Sequence, residues 1–139
     1  MAYAFHRIFE DIASANSFDA RKKILLENDS KPLQELLRYA FHPDIKFALP
    51  SGKPPYKSIG SPEEYNPTYL YPNIRKFYLY IEGGHEGLTP LRREQLFIQM
   101  LEGLHPKEAE IVIQVKDKKL SYRGLTYKLV KTTFPEILP

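Results

Sequence analysis

The four histidines are the first candidates for metal or acid–base chemistry, and their positions at 6, 42, 85 and 105 do not favour it. Histidines that bind zinc from one helix face stand four residues apart, as in H-x-x-x-H, and no pair here has that spacing. The chain also has no cysteine to complete a zinc site or to form a disulfide. We therefore predict no metal site, and we interpret His6 and His42 as residues of helix surfaces or helix ends.

The stretch Gly-Gly-His-Glu-Gly at 83–87 superficially resembles a phosphate-binding loop. A phosphate-binding loop of that type follows a strand and ends in Gly-Lys-Ser/Thr, whereas this stretch follows a predicted helix and lacks that ending. We interpret it as the C-terminal stop of a helix. The chain also lacks the G-x-S-x-G pattern of a serine nucleophile, and its carboxylates are scattered. We therefore predict no catalytic residue, no cofactor and no enzymatic activity.

Positive charge is concentrated near the C-terminal end of the chain. Between residues 116 and 131, six basic residues accompany one acidic residue, so this segment carries +5 while the whole chain carries +3. The basic residues are Lys116, Lys118, Lys119, Arg123, Lys128 and Lys131. Such a run has two interpretations of similar weight: a solvated helix face with its turn, or a patch that binds a polyanion.

Seven segments with apolar residues at helical spacing must position these groups. The first segment covers residues 2–15, and the second runs from a capping residue at 17 to a turn at 28–30. The other five cover residues 32–41, 74–81, 90–103, 106–115 and 125–133. The fifth segment is expected to begin at Thr89-Pro90 and to bury Leu91 with Phe97 and Leu101. Residues 110–115 are rich enough in β-branched side chains for a strand, but no partner strand is evident, so we predict helix. The fold class expected is all-α, with six to seven helices.

The stretch from Pro50 to Pro72 differs from the rest, because six prolines and four tyrosines interrupt any regular element. We predict an ordered loop that lies on the core, since its tyrosines offer apolar area to bury. No two prolines have the P-x-x-P spacing of a proline-groove ligand. Rigid amphipathic tyrosines are also typical of protein interfaces, so Tyr56, Tyr65, Tyr69 and Tyr71 are candidate contacts for a protein partner.

The chain of 139 residues suits one domain, and we expect a single helical domain over residues 1–139. Its first ten residues lack the apolar stretch of a signal peptide. No apolar run approaches the roughly 20 residues that a membrane-spanning helix needs. We therefore expect a soluble protein that contacts no membrane, and the lack of cysteine fits a reducing cytoplasm.

Two stretches resemble the N-terminal DNA-binding domain of the ATP-dependent DNA ligases of T-even phages. The first comprises Ile12-Ala13-Ser14, Ser17, Ile24-Leu25 and Asn28, and the second comprises Gly124, Phe134-Pro135, Ile137 and Pro139. In that family too, a glycine precedes a helix at this spacing and an aromatic-Pro-x-x-Ile pattern closes the domain. The two stretches cover about a quarter of the chain, and the middle has no match. The whole chain also resembles a group of small proteins of T-even-like phages and cyanophages whose function is unassigned.

The ligase resemblance implies an all-helical domain that grips the backbone and minor groove of duplex DNA in an infected bacterial host. The K-x-D-G adenylation motif is missing, so it implies a DNA clamp without ligase activity. Gly124 would let the backbone approach a phosphate near the start of the last helix, Thr126 would donate its hydroxyl, and the cations would attract phosphates. The expected DNA-binding residues are Lys118, Lys119, Arg123, Gly124, Thr126, Lys128 and Lys131. The alternative is a protein-interaction adaptor, or an inhibitor of a host or phage enzyme.

Overall fold

Short hydroxyl side chains begin four of the helices. The computed structural model describes residues 4–57 and 70–139. In it, each of these hydroxyls accepts a hydrogen bond from the backbone N–H three residues further on, which satisfies a donor that a helix N-terminus leaves unpaired. The four capping residues are Ser17, Ser30, Thr89 and Thr126.

Helices account for all the regular structure in these two ranges. The six α-helices are α1 (Phe5–Ser14), α2 (Phe18–Glu27), α3 (Lys31–Phe41), α4 (Pro90–Gly103), α5 (Pro106–Lys116) and α6 (Tyr127–Thr133). A 3-10 helix, η1 (Tyr71–Tyr80), lies between α3 and α4. The described residues contain no strand, and Phe47 and Ile81 form an isolated antiparallel bridge. The all-α prediction is therefore confirmed for the part of the chain that the structure describes.

The helices pack around one apolar core. α1 lies against both α2 and α5, α2 also contacts α6, and α3 packs on α5 and η1. Phe5 and Phe9 of α1 are almost completely buried, and their rings lie 6.3 Å apart. The β-branched run in α5 is helical as predicted, and Ile111, Val112 and Val115 are fully buried in this core. Among the described helices, none has the length and apolarity needed to cross a bilayer.

A buried carboxylate joins distant parts of the chain. Glu108 of α5 is fully buried and accepts hydrogen bonds from the backbone N–H groups of Phe5 (3.3 Å) and His6 (2.9 Å). These are the first two residues of α1, so Glu108 caps that helix from across the core. Glu108 also accepts from the N–H of Leu70 (3.4 Å) and contacts His6 Nδ1 (3.1 Å). His6 lies at a helix end, which is one of the two predicted positions, but its side chain is buried against Glu108 and does not lie on the surface.

Three details of the helix prediction are also wrong. The fourth helix is a 3-10 helix that begins at Tyr71, so the last two residues of the predicted loop 50–72 belong to it. The last helix begins at Tyr127 instead of Leu125, because Thr126 is its cap and Leu125 is buried before it. Leu91 is 65% exposed. It lies six residues before Phe97, which places it about 120° from that buried side chain around α4.

Candidate nucleic-acid interface

The basic segment begins with an unusual backbone at the end of α5. The N–H of Lys118 donates to the carbonyl oxygen of Val115 (3.0 Å), and that of Lys119 donates to Gln114 (2.8 Å). This pair of bonds is a Schellman motif, whose left-handed position usually holds glycine. Lys118 occupies that position with φ 57°. A lysine in this conformation destabilises the fold by about 1–2 kcal/mol relative to glycine. Interactions of the Lys118 side chain must offset part of this cost.

The ammonium group of Lys118 stabilises the fold by joining the ends of two helices. Its Nζ donates to the carbonyl oxygens of Tyr39 (2.7 Å) and His42 (2.8 Å), at the C-terminal end of α3. Burial against α3 lowers the pKa of Lys118. Lys118 therefore ties α5 to α3, and much of its hydrogen-bonding capacity is used inside the protein.

Gly124 lies in a turn that needs glycine. The N–H of Leu125 donates to the carbonyl oxygen of Tyr122 (3.0 Å), and Gly124 has φ 76° at the third position of this turn. Arg123, at the second position, has no positive φ. These angles describe a type II β-turn, in which the third residue adopts positive φ at no cost only when it is glycine.

The space above Gly124 is filled by Arg21 of α2. A Cβ atom at Gly124 would lie 2.2 Å from Arg21 Nε and 2.5 Å from Arg21 Cζ. The guanidinium is held there because Nε donates to the carbonyl oxygen of Ile12 (3.1 Å) and Nη2 donates to that of Ala15 (2.8 Å). The close approach that glycine permits is thus to an arginine of the same chain. No signal in the local sequence pattern connects Arg21 to this turn.

Three of the predicted cations have no polar partner among the described residues. The side chains of Lys119 and Arg123 are exposed and make no hydrogen bond or ion pair there. Lys128 is also exposed, and its ammonium lies 6.0 Å from the centre of the Phe18 ring. That contact brings the start of α6 beside the first turn of α2. Lys119, Arg123 and Lys128 are hereafter called the free cations.

The last two predicted residues, Lys131 and Thr126, have internal partners, and so does Lys116 of the basic segment. Lys131 Nζ donates to the carbonyl oxygens of Pro135 (3.0 Å) and Leu138 (2.8 Å), and so holds the C-terminal residues against α6. Thr126 Oγ1 accepts from the N–H of Leu129 (3.2 Å) as the cap of α6. Lys116 is 5% exposed and paired with Asp117. The polar atoms of these three side chains are therefore engaged in contacts within the protein.

Two of the four candidate tyrosines lie in the described part of the chain and contact the core. Tyr56 is half-buried, and burial and the charge of Glu110 raise its pKa. The ring of Tyr71 stacks on that of Phe5 at 6.1 Å. Tyr65 and Tyr69 lie outside the described residues, so the prediction of an ordered loop is open to test only at its two ends.

The side chains of the other three histidines accept hydrogen bonds from nearby backbone N–H groups. Nδ1 of His42 accepts from the N–H of Asp44 (3.1 Å), and Nδ1 of His85 accepts from the N–H of Gly87 (3.1 Å). His105 caps α5 and stacks on His6 with their ring centres 4.9 Å apart. Burial and the neighbouring His6 lower the pKa of His105. Within residues 4–57 and 70–139, no cluster of three or more His, Asp or Glu side chains could hold a metal ion.

The comparison with known proteins gives a family but no function. No curated protein and no solved structure matches the chain significantly. A family model does match, over residues 8–122. This match spans most of the chain and ends just before the turn at Gly124. On that match, the chain belongs to a family of unknown function, DUF6433.

Proposed function

We propose that this protein is a non-catalytic module that binds the backbone of duplex DNA without strong sequence preference. The observation that carries the proposal is the charge of the segment from 118 to 135. It contains five basic residues and no acidic residue. Three of the basic side chains, the free cations, are exposed without a polar partner among the described residues. Lysine and arginine side chains in that state attract phosphates through the release of counterions.

The packing of α2 against α6 widens this surface. It places Arg21 against the turn at Gly124 and Phe18 beneath Lys128. Lys22 lies one helical turn after Phe18 on the same side of α2, and Asp19 is the acidic residue of the first turn of that helix. The surface is therefore positive but not uniformly so. With a few phosphates in reach, we expect dissociation constants on the order of micromolar or weaker.

The resemblance of residues 12–28 and 124–139 to the DNA-binding domain of T-even phage ligases supports the same proposal. Both stretches meet at this surface, because Arg21 lies in the first and Gly124 in the second. We propose on this basis that the module acts on DNA in the cytoplasm of a phage-infected bacterium. The structure alters one part of that idea. Arg21 occupies the space through which the backbone at Gly124 would approach a phosphate.

The test is a fluorescence titration of the protein with a short duplex at two or more salt concentrations. In the variant Lys119→Ala/Arg123→Ala/Lys128→Ala, we expect weaker binding for every duplex sequence. The slope of log K against log salt should flatten by about 0.9 for each phosphate that the variant no longer neutralises. None of these side chains has a polar partner among the described residues, so the variant should remain folded.

A matched control removes the same charge elsewhere. Lys46, Lys76 and Arg92 are exposed, and their side chains have no polar partner in the described ranges. Replacing them together by alanine changes the net charge equally, so weaker binding in both variants would mean that overall charge, not this surface, binds DNA. Wild-type protein that shows no salt-dependent DNA binding at low ionic strength would refute the proposal.

A protein-interaction adaptor is the second candidate. It is favoured by the proline-rich segment beside α4, where Lys53 lies 5.6 Å from the centre of the Tyr56 ring and a pocket opens next to it. Tyr71 contributes less than predicted, because its ring is stacked on Phe5. If DNA does not bind, Tyr56→Ala and pull-down of partners from infected cells form the next test.

A further inference from the structure

A half-open pocket of about 290 Å³ lies between residues 49–55 and α4. Its walls are largely apolar and include Leu49, Phe97 and Ile98, together with the prolines of the segment. This volume is close to the lower end of the range for small-molecule pockets, which are mostly apolar with a few placed polar groups. None of the free cations lines the pocket, and the DNA-binding proposal does not use it.

A buried ion pair holds one wall of the pocket in place. Lys116 Nζ donates to the carbonyl oxygens of Pro50 (2.7 Å) and Gly52 (3.0 Å) and contacts Asp117 Oδ1 (2.5 Å). Asp117 in turn accepts from the N–H of Gly52 at 3.1 Å. The Lys116 side chain is 2% exposed, and these three contacts use its three hydrogens. The pair therefore shapes the wall and offers no charge to a ligand.

The other end of the segment is fixed to α4. The N–H of Lys57 donates to Glu102 Oε2 (3.0 Å), one helical turn or so beyond Ile98. With one attachment at Gly52 and another at Lys57, the intervening residues cross the pocket between two fixed points. The cavity is thus formed before any ligand arrives, which lowers the entropy cost of binding.

Glu94 is the acidic residue among those that line this pocket. Its half-buried side chain lines the cavity, and it makes no hydrogen bond or ion pair among the described residues. Lys53, the other charged side chain at the pocket with no ion pair in the described ranges, lies over the Tyr56 ring. A carboxylate beside apolar walls gains most from a ligand that brings a positive charge together with apolar surface.

We propose that this pocket binds an organic cation: an apolar body that carries one positive charge, placed against Glu94. A free small molecule and an arginine side chain of a partner both have this chemistry. Leu91 can distinguish these two sources of the cation. It lies one helical turn before Glu94 on the same side of α4 and is 65% exposed. A partner peptide would reach Leu91, whereas a small molecule inside the pocket would not.

The test is an NMR titration with benzamidine and with its neutral isostere benzamide, followed at the methyl groups of Leu49 and Ile98. We expect saturable shifts, with benzamidine bound about tenfold or more tightly than benzamide, because a hydrogen bond to a charged group is the stronger kind. In Glu94→Gln, which keeps the shape and removes the charge, the two probes should bind equally. Glu82→Gln, an exposed acid outside the pocket, is the control and should behave as wild type.

Equal binding of the two probes to wild type, unchanged discrimination in Glu94→Gln, or no saturable shift at Ile98 would each overturn the proposal. N-acetyl-leucyl-arginine amide distinguishes the sources. If a partner supplies the cation, this peptide binds more tightly than benzamidine and Leu91→Ala removes the difference; if a small molecule does, benzamidine binds more tightly. Duplex DNA binding should be unchanged in Glu94→Gln, so this inference and the DNA proposal fail or succeed separately.

Discussion

Gly124→Ala is expected to destabilise the fold, and its magnitude follows from two terms. Alanine at φ 76° costs about 1–2 kcal/mol relative to glycine. The new Cβ also lies 2.2 Å from Arg21 Nε, so the guanidinium must move. Its hydrogen bonds to Ile12 and Ala15 are charge-assisted, and each contributes about 1.5 kcal/mol at a partly exposed site. Breaking one or both gives a total of roughly 2.5–5 kcal/mol.

A double-mutant cycle separates the two terms. Arg21→Ala alone removes both hydrogen bonds, and in that background Gly124→Ala should cost only the backbone term of about 1–2 kcal/mol. The unfolding free energies of the four proteins, measured by urea denaturation, should therefore show a coupling of about 1.5–3 kcal/mol between the two sites. Additive costs would show that Arg21 does not rest on Gly124 and would refute the argument.

The same variant bears on DNA binding. If Gly124 serves Arg21 and the turn, the folded fraction of Gly124→Ala should bind duplex DNA nearly as well as wild type. A large drop in affinity in fully folded protein would instead mean that the backbone at Gly124 contacts a phosphate directly.

Three other perturbations test individual contacts. Glu108→Gln should cost about 3 kcal/mol or more in urea denaturation, because an amide NH2 would face N–H donors in a buried site; a cost below about 1 kcal/mol would contradict the capping role. Lys118→Ala should lower the melting temperature, because alanine keeps the strained φ and lacks both hydrogen bonds to carbonyl oxygens. Lys118→Gly also removes these hydrogen bonds but relieves the strain, so it should lower the melting temperature less. The pKa of His105 is lowered in the folded state, so its contribution to stability is complete above about pH 6.5 and is lost as pH falls through that value toward the folded-state pKa. His105→Gln should therefore flatten the fall of melting temperature between pH 7.5 and 5, and identical profiles for the two proteins would contradict this.

The helices themselves could be read from local patterns. A capping hydroxyl bonds within one turn of its own helix, so Ser17 and Thr89 mark helix starts whatever the rest of the chain does. The β-branched run in α5 was helical for a less local reason, because the described chain offers it no partner strand. Where the prediction relied on one residue's orientation, as at Leu91, it failed, because the buried face of a helix depends on its neighbours.

The positions of the charges within the basic segment were determined by the sequence alone, but their use was not. Lys118, Lys119 and Lys131 look alike in sequence, and only the packing of α5 beside α3 and of the C-terminal residues beside α6 gives two of them carbonyl partners. Gly124 likewise predicted a turn from the local sequence, because glycine adopts positive φ without steric cost. That Arg21, about a hundred residues earlier, covers it follows from the contact between α2 and α6. Local conformation depends on near neighbours in the chain, whereas the partner of a long flexible cation is whichever carbonyl or surface the tertiary fold brings within its reach.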